Sequence, residues 1–200
     1  MSRSVDYYFS IASPWSYLGH GRFMELTAKH GVPANVKPVD YGRIFPVSGG
    51  LPLKQRAPQR QAYRLVELAR WRDFLGLPLT LEPKFFPFPA DAAARAVIAA
   101  DIEKGPAAAM RLAYALMRGC WVEDRNVGDA DTVRAIVIEQ DIDPAALGEV
   151  AVAADAQAKY ELYTEEAIAR GVFGAPSYVV GDEIFWGQDR LDFLDRRLAK

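Results

Sequence analysis

Strand-forming patterns occur only near the two ends of this 200-residue chain. A run rich in aromatic and β-branched residues, Val5 to Ile11, predicts a buried strand, and Asn35 to Val39 predicts a second one. Between them, Pro14 to His30 has the apolar spacing of a helix with a buried face. Such a β-α-β opening favours two parallel strands joined by a right-handed crossover. Any fold for this chain must therefore combine strands from its N-terminal region with strands from its C-terminal region.

The strands return only after a long helical stretch. Pro176 to Val180 and Glu183 to Trp186, separated by Gly181-Asp182, predict a hairpin, and a last helix follows from Leu191 to Leu198. Phe45 to Leu53 is dense in glycine and proline and predicts a loop. The helices predicted in between cover Pro58 to Leu75, Ala90 to Lys104, Pro106 to Trp121, Asp131 to Glu139, Pro144 to Ala154 and Gln157 to Arg170.

The order of elements is β-α-β, then helices, then β-β-α. This is the thioredoxin-like arrangement, in which a four-stranded mixed sheet is flanked by helices. The predicted fold class is therefore α/β, a thioredoxin-like fold with an all-helical insertion domain. We expect a discontinuous thioredoxin-like domain over residues 1–42 and 171–200, and a helical insertion domain over residues 43–170.

Composition argues against several classes of protein. The formal net charge is −2, which gives no indication of binding to nucleic acid or to an anionic membrane. The single cysteine, Cys120, allows neither an intrachain disulfide nor a cysteine-based metal cluster. No apolar run approaches the ~20 residues of a membrane helix, and Met1 to Ser4 has no signal-peptide pattern. We therefore expect a cytoplasmic protein without a metal site.

The turn between the first strand and the first helix contains Ser13-Pro14-Trp15-Ser16. Proline suits the first position of a helix, so Ser13 lies at the helix N-terminus. Free backbone N–H groups and the positive end of the helix dipole stabilise an anion there. Ser13 could serve only as the N-cap, or it could also bind such an anion. In a thioredoxin-like fold this turn holds a reactive Cys-Pro-x-Cys motif, and serine at both cysteine positions makes dithiol chemistry impossible here.

A second motif, Gly174-Ala175-Pro176, stands at the start of the returning strand. Its position beside the first strand is typical of the cis-proline of this fold, although a trans proline is also common at a strand start. With a cis bond, the backbone N–H and C=O of Ala175 would face the site. These groups could then pair with a peptide-like ligand as an added strand edge.

These features together resemble the 2-hydroxychromene-2-carboxylate isomerase family, which is related to kappa-class glutathione transferases and to DsbA-type thioredoxin-like proteins. The segments that carry the resemblance are Tyr7-Tyr8-Phe9-Ser10, Ser13 to Leu18, Arg70-Trp71, Val172 to Pro176 and Gly181 to Arg190. The resemblance spans essentially the whole chain. It implies a glutathione-dependent isomerase that interconverts 2-hydroxychromene-2-carboxylate and trans-o-hydroxybenzylidenepyruvate in aromatic-compound degradation.

The resemblance also implies roles for individual residues. Ser13 matches the serine that holds the glutathione sulfur as a thiolate, which adds to the substrate, permits rotation and leaves. Ala175, beside Pro176, matches the residue that pairs with the cysteinyl backbone of glutathione. The stretch that holds the γ-glutamyl end corresponds to Trp186, Gly187, Gln188 and Asp189. The Asp189 carboxylate suits the γ-glutamyl ammonium, and its side chain could also cap the last helix.

Family members bind the glycyl carboxylate of glutathione and the substrate carboxylate through residues that follow the second strand. The candidates here are Arg43, Lys54, Gln55, Arg56, Arg60 and Arg64, and a solvated helix face is the alternative for each of them. Phe86, in an aromatic and proline-rich connector, could form one wall of an apolar pocket. We take Arg43, Lys54, Gln55 and Phe86 as candidate binding residues for a small aromatic carboxylate.

Two other functions remain open at this point. One is a kappa-like glutathione transferase or peroxidase that consumes the bound thiol. The other is a thioredoxin-like module that binds thiols or peptides without turnover. Relatives in this family tend to form dimers, so the resemblance also implies a homodimer.

Overall fold

The computed structural model describes residues 4–200, and the predicted absence of a signal peptide over the first residues therefore falls largely outside the described range. One sheet has the strand order β2-β1-β3-β4. Its strands are β1 Val5–Phe9, β2 Ala34–Pro38, β3 Ser177–Val180 and β4 Glu183–Trp186. β1 runs parallel to β2 and antiparallel to β3, which pairs antiparallel with β4. The predicted β-α-β opening, the hairpin and the thioredoxin-like fold are confirmed.

The helices surround this sheet. Their bounds are α1 Pro14–His30, α2 Tyr41–Ser48, α3 Pro58–Leu75, α4 Asp91–Lys104, α5 Pro106–Trp121, α6 Ala130–Glu139, α7 Pro144–Leu147, α8 Val150–Ala169 and α9 Leu191–Leu198, with 3₁₀ turns at Leu53–Gln55 and Gln188–Arg190. α1, α3 and α5 match their predicted ranges, because each begins with proline at its first position. Within residues 4–200, no helix combines the length and apolar character needed to cross a membrane.

The loop predicted from Phe45 to Leu53 is wrong in its first half, where α2 forms. The Asp40 side chain caps this helix by accepting a hydrogen bond from the Gly42 N–H at 2.7 Å. The Ile44 side chain is fully buried, so packing stabilises the short helix. Pro46 lies inside α2, and Gly49 ends it in the left-handed conformation. The glycine and proline density therefore marks the end of a capped helix.

The helices predicted over Pro144 to Ala154 and Gln157 to Arg170 are also divided differently. α7 is a single turn that ends before Gly148, and α8 runs unbroken from Val150. The predicted break lies within α8, where Ala156 and Tyr160 are buried one turn apart on one face. α8 packs along α4. The stretch from Ala153 to Lys159 is rich in alanine, which favours a helix, so local propensity and packing against α4 together continue the helix.

A large apolar cluster joins the sheet to the helical segment. Tyr7 and Phe9 of β1 stack with their ring centroids 4.4 Å apart. They are buried in the same cluster as Val97 of α4 and Leu112 of α5. α4 and α5 therefore pack directly on one face of the sheet, and the end of α8 packs on the other, where Ala167 is buried in a second cluster with Tyr8. The division into two domains at residues 42/43 and 170/171 stays a prediction.

His20 of α1 connects β1 to α5 inside this cluster. Its Nε2 lies 2.9 Å from the Met110 carbonyl oxygen, and its Nδ1 lies 3.0 Å from the Tyr7 hydroxyl oxygen. Because a carbonyl only accepts, Nε2 carries the proton and Nδ1 accepts from Tyr7. Burial lowers the pKa of His20 to about 4. The ring is therefore neutral at neutral pH and links the two segments.

Candidate functional site

Ser13 lies where β1 gives way to α1. Its backbone is extended (φ −91°, ψ 119°), and its Oγ accepts a hydrogen bond from the Ser16 N–H at 3.2 Å. The Ser13 hydroxyl donates to no acceptor among residues 4–200, so its hydrogen is available for donation. The Trp15 N–H, in the first helical turn, also has no acceptor among the described residues. The partly exposed Ser13 therefore caps the helix and leaves two donors for an anion at the positive end of its dipole.

Ser16, the other serine of the motif, has a different environment. It is fully buried, and its hydroxyl has no hydrogen-bond partner within residues 4–200. A ligand at the protein surface can reach Ser13 and cannot reach the Ser16 hydroxyl. The motif has serine at both positions, and burial gives the two side chains different environments.

The Ala175–Pro176 peptide bond is cis, which decides between the cis and trans alternatives left by the sequence. β1 and β3 pair Tyr8 with Ser177. Continuing this register by one residue places Pro176 beside Phe9, at the end of β1 that leads into α1. The backbone N–H and C=O of Ala175 make no hydrogen bond with other described residues. These two groups are therefore available to an extended ligand near the N-terminus of α1.

The turn before Pro176 is held by side chains that the sequence analysis missed. Tyr41 of α2 donates to the Gly174 carbonyl at 2.8 Å, and the Ser177 hydroxyl donates to the same oxygen at 2.7 Å. Tyr41 is buried and lies 133 positions away from Gly174. No local sequence signal indicates such a contact, because it depends on how α2 packs against the end of the helical segment.

Trp186, a predicted glutathione-binding residue, covers the same turn. Its indole packs on Phe173, with the ring centroids 4.7 Å apart. It also lies against Gly174, where an added Cβ would overlap the indole. Trp186 is half-exposed. It therefore supports the Ala175 segment from outside and keeps one side of its ring open to solvent.

Replacing Gly174 with alanine is expected to lower the free energy of unfolding by about 1 kcal/mol, because the new methyl group displaces the Trp186 indole. Urea unfolding measures the stability, and tryptophan fluorescence reports the displacement. Gly21→Ala is the matched control, since a Cβ there meets nothing within 4 Å. That variant should be neutral or more stable, because alanine favours a helix. A Gly174→Ala variant with native stability and native fluorescence would contradict the close contact between Gly174 and the Trp186 indole.

The turn Gln188–Arg190 connects β4 to α9 beside Pro176. The Gln188 side chain is buried, and its Oε1 accepts from the Arg22 guanidinium at 2.9 Å. The preceding Gly187 has φ 107°, a conformation that favours glycine, and its N–H donates to the Pro176 carbonyl at 2.9 Å. Gln188 therefore anchors the turn to α1, and Gly187 attaches it to the cis-proline.

The expectation that Asp189 caps the last helix is wrong. α9 begins at Leu191, with Arg190 at its N-cap position and no side-chain cap. The Asp189 Oδ2 pairs with Arg190 at 2.6 Å instead, because the 3₁₀ turn places the two side chains together. Its Oδ1 has no hydrogen-bond partner among residues 4–200. That oxygen is available to a cationic group of a ligand.

The predicted substrate-binding residues occupy different environments. Arg43, on α2, is exposed and pairs with Glu165 of α8 at 3.5 Å. Lys54 and Gln55 lie in an exposed 3₁₀ turn. Phe86 is partly buried, and its ring packs on Trp121 with the centroids 4.9 Å apart. The structure therefore places one of the four, Phe86, against the apolar cluster.

Arg64 of α3, one of the six basic and polar candidates, contacts Phe86. Its guanidinium carbon lies 5.3 Å from the Phe86 ring centroid and 5.8 Å from that of Trp121. Burial, and secondarily the charge of Arg56, lowers the pKa of Arg64 to about 10. The helical pattern of α3 could not indicate these rings, since Trp121 belongs to the end of α5.

Residues 4–199 match the family model for a DSBA-like thioredoxin domain. Over 203 residues the chain is 30% identical to a 2-hydroxychromene-2-carboxylate isomerase of Sphingobium xenophagum, with 99% of each chain covered. A solved structure of a 2-hydroxychromene-2-carboxylate isomerase is similar at a TM-score of 0.77 and 28% identity, covering 98% of this chain and 94% of that one. Over 82 residues, 40% of this chain and 36% of the relative, it is 33% identical to a glutathione S-transferase kappa 1 of Caenorhabditis elegans.

Proposed function

We propose, from the premise that the chain belongs to the 2-hydroxychromene-2-carboxylate isomerase family of DSBA-like thioredoxin proteins, that it is a glutathione-dependent isomerase. Its substrate would be a small aromatic carboxylate of the 2-hydroxychromene-2-carboxylate type. The observation that carries this proposal is the state of Ser13. Its hydroxyl caps α1 as an acceptor and keeps its hydrogen for an anion beside the Ala175–Pro176 segment.

The reaction needs a sulfur nucleophile, and this chain does not supply one at the site. Cys120 is buried in α5, and burial raises the pKa of its thiol to about 12. A thiol in that state is a poor nucleophile. The kappa-class relative is named as a glutathione transferase. Bound glutathione would supply a thiolate that adds reversibly to the conjugated double bond of the substrate and permits rotation.

The available groups of this chain fit glutathione. The Ser13 hydroxyl and the Trp15 N–H are donors for a thiolate at the N-terminus of α1. The N–H and C=O of Ala175 match the donor and acceptor of a peptide backbone. The free Oδ1 of Asp189 suits an ammonium group. Ser13 would hold the sulfur as an anion, and the other residues would orient the peptide.

The test is an assay of the purified protein with 2-hydroxychromene-2-carboxylate, followed by ultraviolet absorbance. We expect interconversion with trans-o-hydroxybenzylidenepyruvate only when glutathione is present, with the total thiol unchanged after many turnovers. The Cys120→Ala variant should retain the activity, because the reacting sulfur is external. An equal rate without glutathione, or no reaction despite glutathione binding, would exclude the proposed function.

A kappa-like glutathione transferase is the second candidate, and the partial similarity to the kappa-class enzyme favours it. The same assay separates the two functions. A transferase consumes glutathione in proportion to the product formed, whereas an isomerase regenerates it at each turnover. Thiol titration during the reaction with an electrophilic aromatic substrate measures this difference. Glutathione binding with neither isomerisation nor consumption of glutathione would indicate a non-catalytic module.

A further inference from the structure

The turn Gln188–Arg190 is attached to the rest of the molecule on two sides. The Gly187 N–H, just before the turn, donates to the Pro176 carbonyl at 2.9 Å. On the other side, one nitrogen of the Arg22 guanidinium of α1 donates to the Gln188 Oε1 at 2.9 Å and to the Gln188 carbonyl at 3.2 Å. Gln188 is buried, so water competes little for these bonds. The turn is therefore fixed both to the cis-proline and to α1.

Gly19 lets α1 approach this turn closely. Gly19 and Arg22 are three positions apart on α1, so they lie on the same side of the helix. A Cβ added at Gly19 would lie 2.8 Å from both the Gln188 Cβ and the Tyr178 hydroxyl oxygen, and 3.3 Å from the Gln188 Cα. A larger side chain at this position would displace the turn. The contact between the turn and α1 therefore depends on a glycine and on an arginine three residues later.

The bonds to Gln188 are the main attachment of the Arg22 side chain. Its Nη2 also lies 4.0 Å from the Asp192 Oδ1, but the Asp192 side chain is 87% exposed. An exposed ion pair at that distance contributes little to stability. Lys29, near the end of α1, binds Asp195 of α9 at 2.8 Å instead of the turn. Arg22 is therefore the basic residue of α1 that holds the turn.

Through Arg22, α1 fixes the distance between two groups of the candidate site. Ser13 lies at the N-terminus of α1. Asp189 directly follows Gln188, and its Oδ1 has no hydrogen-bond partner among the described residues. Because Arg22 holds Gln188, it determines where the Asp189 carboxylate lies relative to the Ser13 hydroxyl. Within residues 4–200, Arg22 makes no hydrogen bond or ion pair with Ser13 or Asp189, so its effect passes through Gln188.

We propose that Arg22 is a positioning residue that selects a thiol carrying an ammonium group, because it holds Asp189 at a fixed distance from Ser13 through Gln188. This inference rests on the proposed function, which takes glutathione as the bound thiol. The ammonium of the γ-glutamyl group would pair with the Asp189 Oδ1 while the sulfur lies at Ser13. A displacement of about 1 Å at one end is enough to weaken such two-point binding. Loss of Arg22 should therefore weaken binding through the ammonium and leave binding through the sulfur unchanged.

Equilibrium binding of two matched thiols tests this proposal. One is glutathione, and the other is deaminated glutathione, in which hydrogen replaces the ammonium group. The wild-type chain should prefer glutathione by about tenfold to a hundredfold, as for one charge-assisted hydrogen bond. Arg22→Met should remove most of this preference, and Arg22→Lys should keep part of it. The affinity for the deaminated thiol should stay unchanged in both variants.

Lys29→Met is the matched control, because it removes a cation that links α1 to α9 without binding the turn. It should keep the wild-type preference. The pKa of the bound thiol, measured from thiolate absorbance, should be the same in Arg22→Met as in the wild-type chain, because the donors at the N-terminus of α1 remain. A raised pKa of the bound thiol in Arg22→Met would contradict an effect confined to the ammonium end.

Gly19→Ala tests the same attachment without removing the guanidinium. The added methyl group should displace Gln188 and reduce the preference for glutathione, whereas Gly21→Ala, where a Cβ meets nothing within 4 Å, should keep it. Thermal unfolding of each variant ensures that binding is measured on folded protein. Equal weakening of both thiols in Arg22→Met and Gly19→Ala would show a merely structural role and overturn the proposal. An unchanged preference in these variants, or no preference in the wild-type chain, would also overturn it.

The outcomes also separate this proposal from the proposed function. The binding measurements require no turnover, so an Arg22-dependent preference for glutathione in a chain without isomerase activity would support the positioning role and exclude the isomerase. Glutathione-dependent isomerase activity, together with an unchanged preference in Arg22→Met, would exclude the positioning role and leave the isomerase intact.

Discussion

Replacing Ser13 with alanine is expected to lower kcat/KM for glutathione-dependent isomerisation by about 10²- to 10³-fold, as for the loss of one donor to a developing or bound anion. Ser13 Oγ accepts from the Ser16 N–H, and the hydroxyl donates to no acceptor among the described residues, so its hydrogen is free. Without it, the thiolate loses a hydrogen bond, and the pKa of the bound thiol should rise. Ultraviolet absorbance of the thiolate against pH measures that rise, and steady-state kinetics measures the rate.

Stability and activity should separate in this variant. Losing the N-cap costs about 1 kcal/mol, and Ser13→Gly should cost less while removing the same hydroxyl. Ser16→Ala is the matched control, because the Ser16 hydroxyl is buried without a partner. That change should leave activity intact and stability unchanged or higher. Full turnover in Ser13→Ala would show that Ser13 is only a helix cap.

Acidification is expected to destabilise the fold through His20. The pKa of His20 is lowered from 6.5 to about 4 by burial. Between these two values the unfolded chain binds a proton that the folded chain does not, so stability falls as the pH drops from 6.5 towards 4. The loss from this one group is on the order of 3 kcal/mol and is complete below pH 4. Urea unfolding across this range measures it.

The contribution of His20 can be separated from those of other titrating groups. His20→Phe should be less stable at neutral pH, because Tyr7 and the Met110 carbonyl lose their partner. Its stability should depend less on pH between 6.5 and 4. The His30→Gln variant, which changes the last residue of α1, should keep the pH dependence of stability that His20 causes. A His20 ring that titrates near 6.5 in nuclear magnetic resonance spectra would contradict the lowered pKa of His20.

Helices and turns were predicted correctly where proline or glycine in the sequence sets the end of the element. Proline at the first position and a left-handed glycine after the last one define α1 and α3, where Gly31 and Gly76 end the helices. Gly181, with φ 60°, likewise supports the predicted hairpin turn. α2 was missed because its stabilising contacts, including the buried Ile44, come from packing against a distant helix.

The sequence by itself determined where a site could lie: a serine at a helix N-terminus and a proline at the start of the neighbouring strand. Helix capping and the start of a strand are local features, since they depend on residues close in the chain. Only the tertiary structure decided that Ser13 is accessible and Ser16 buried, and that Asp189 pairs with Arg190. It also placed Arg64 over the ring of Trp121. Burial and pairing arise between side chains far apart in sequence, and no local pattern contains them.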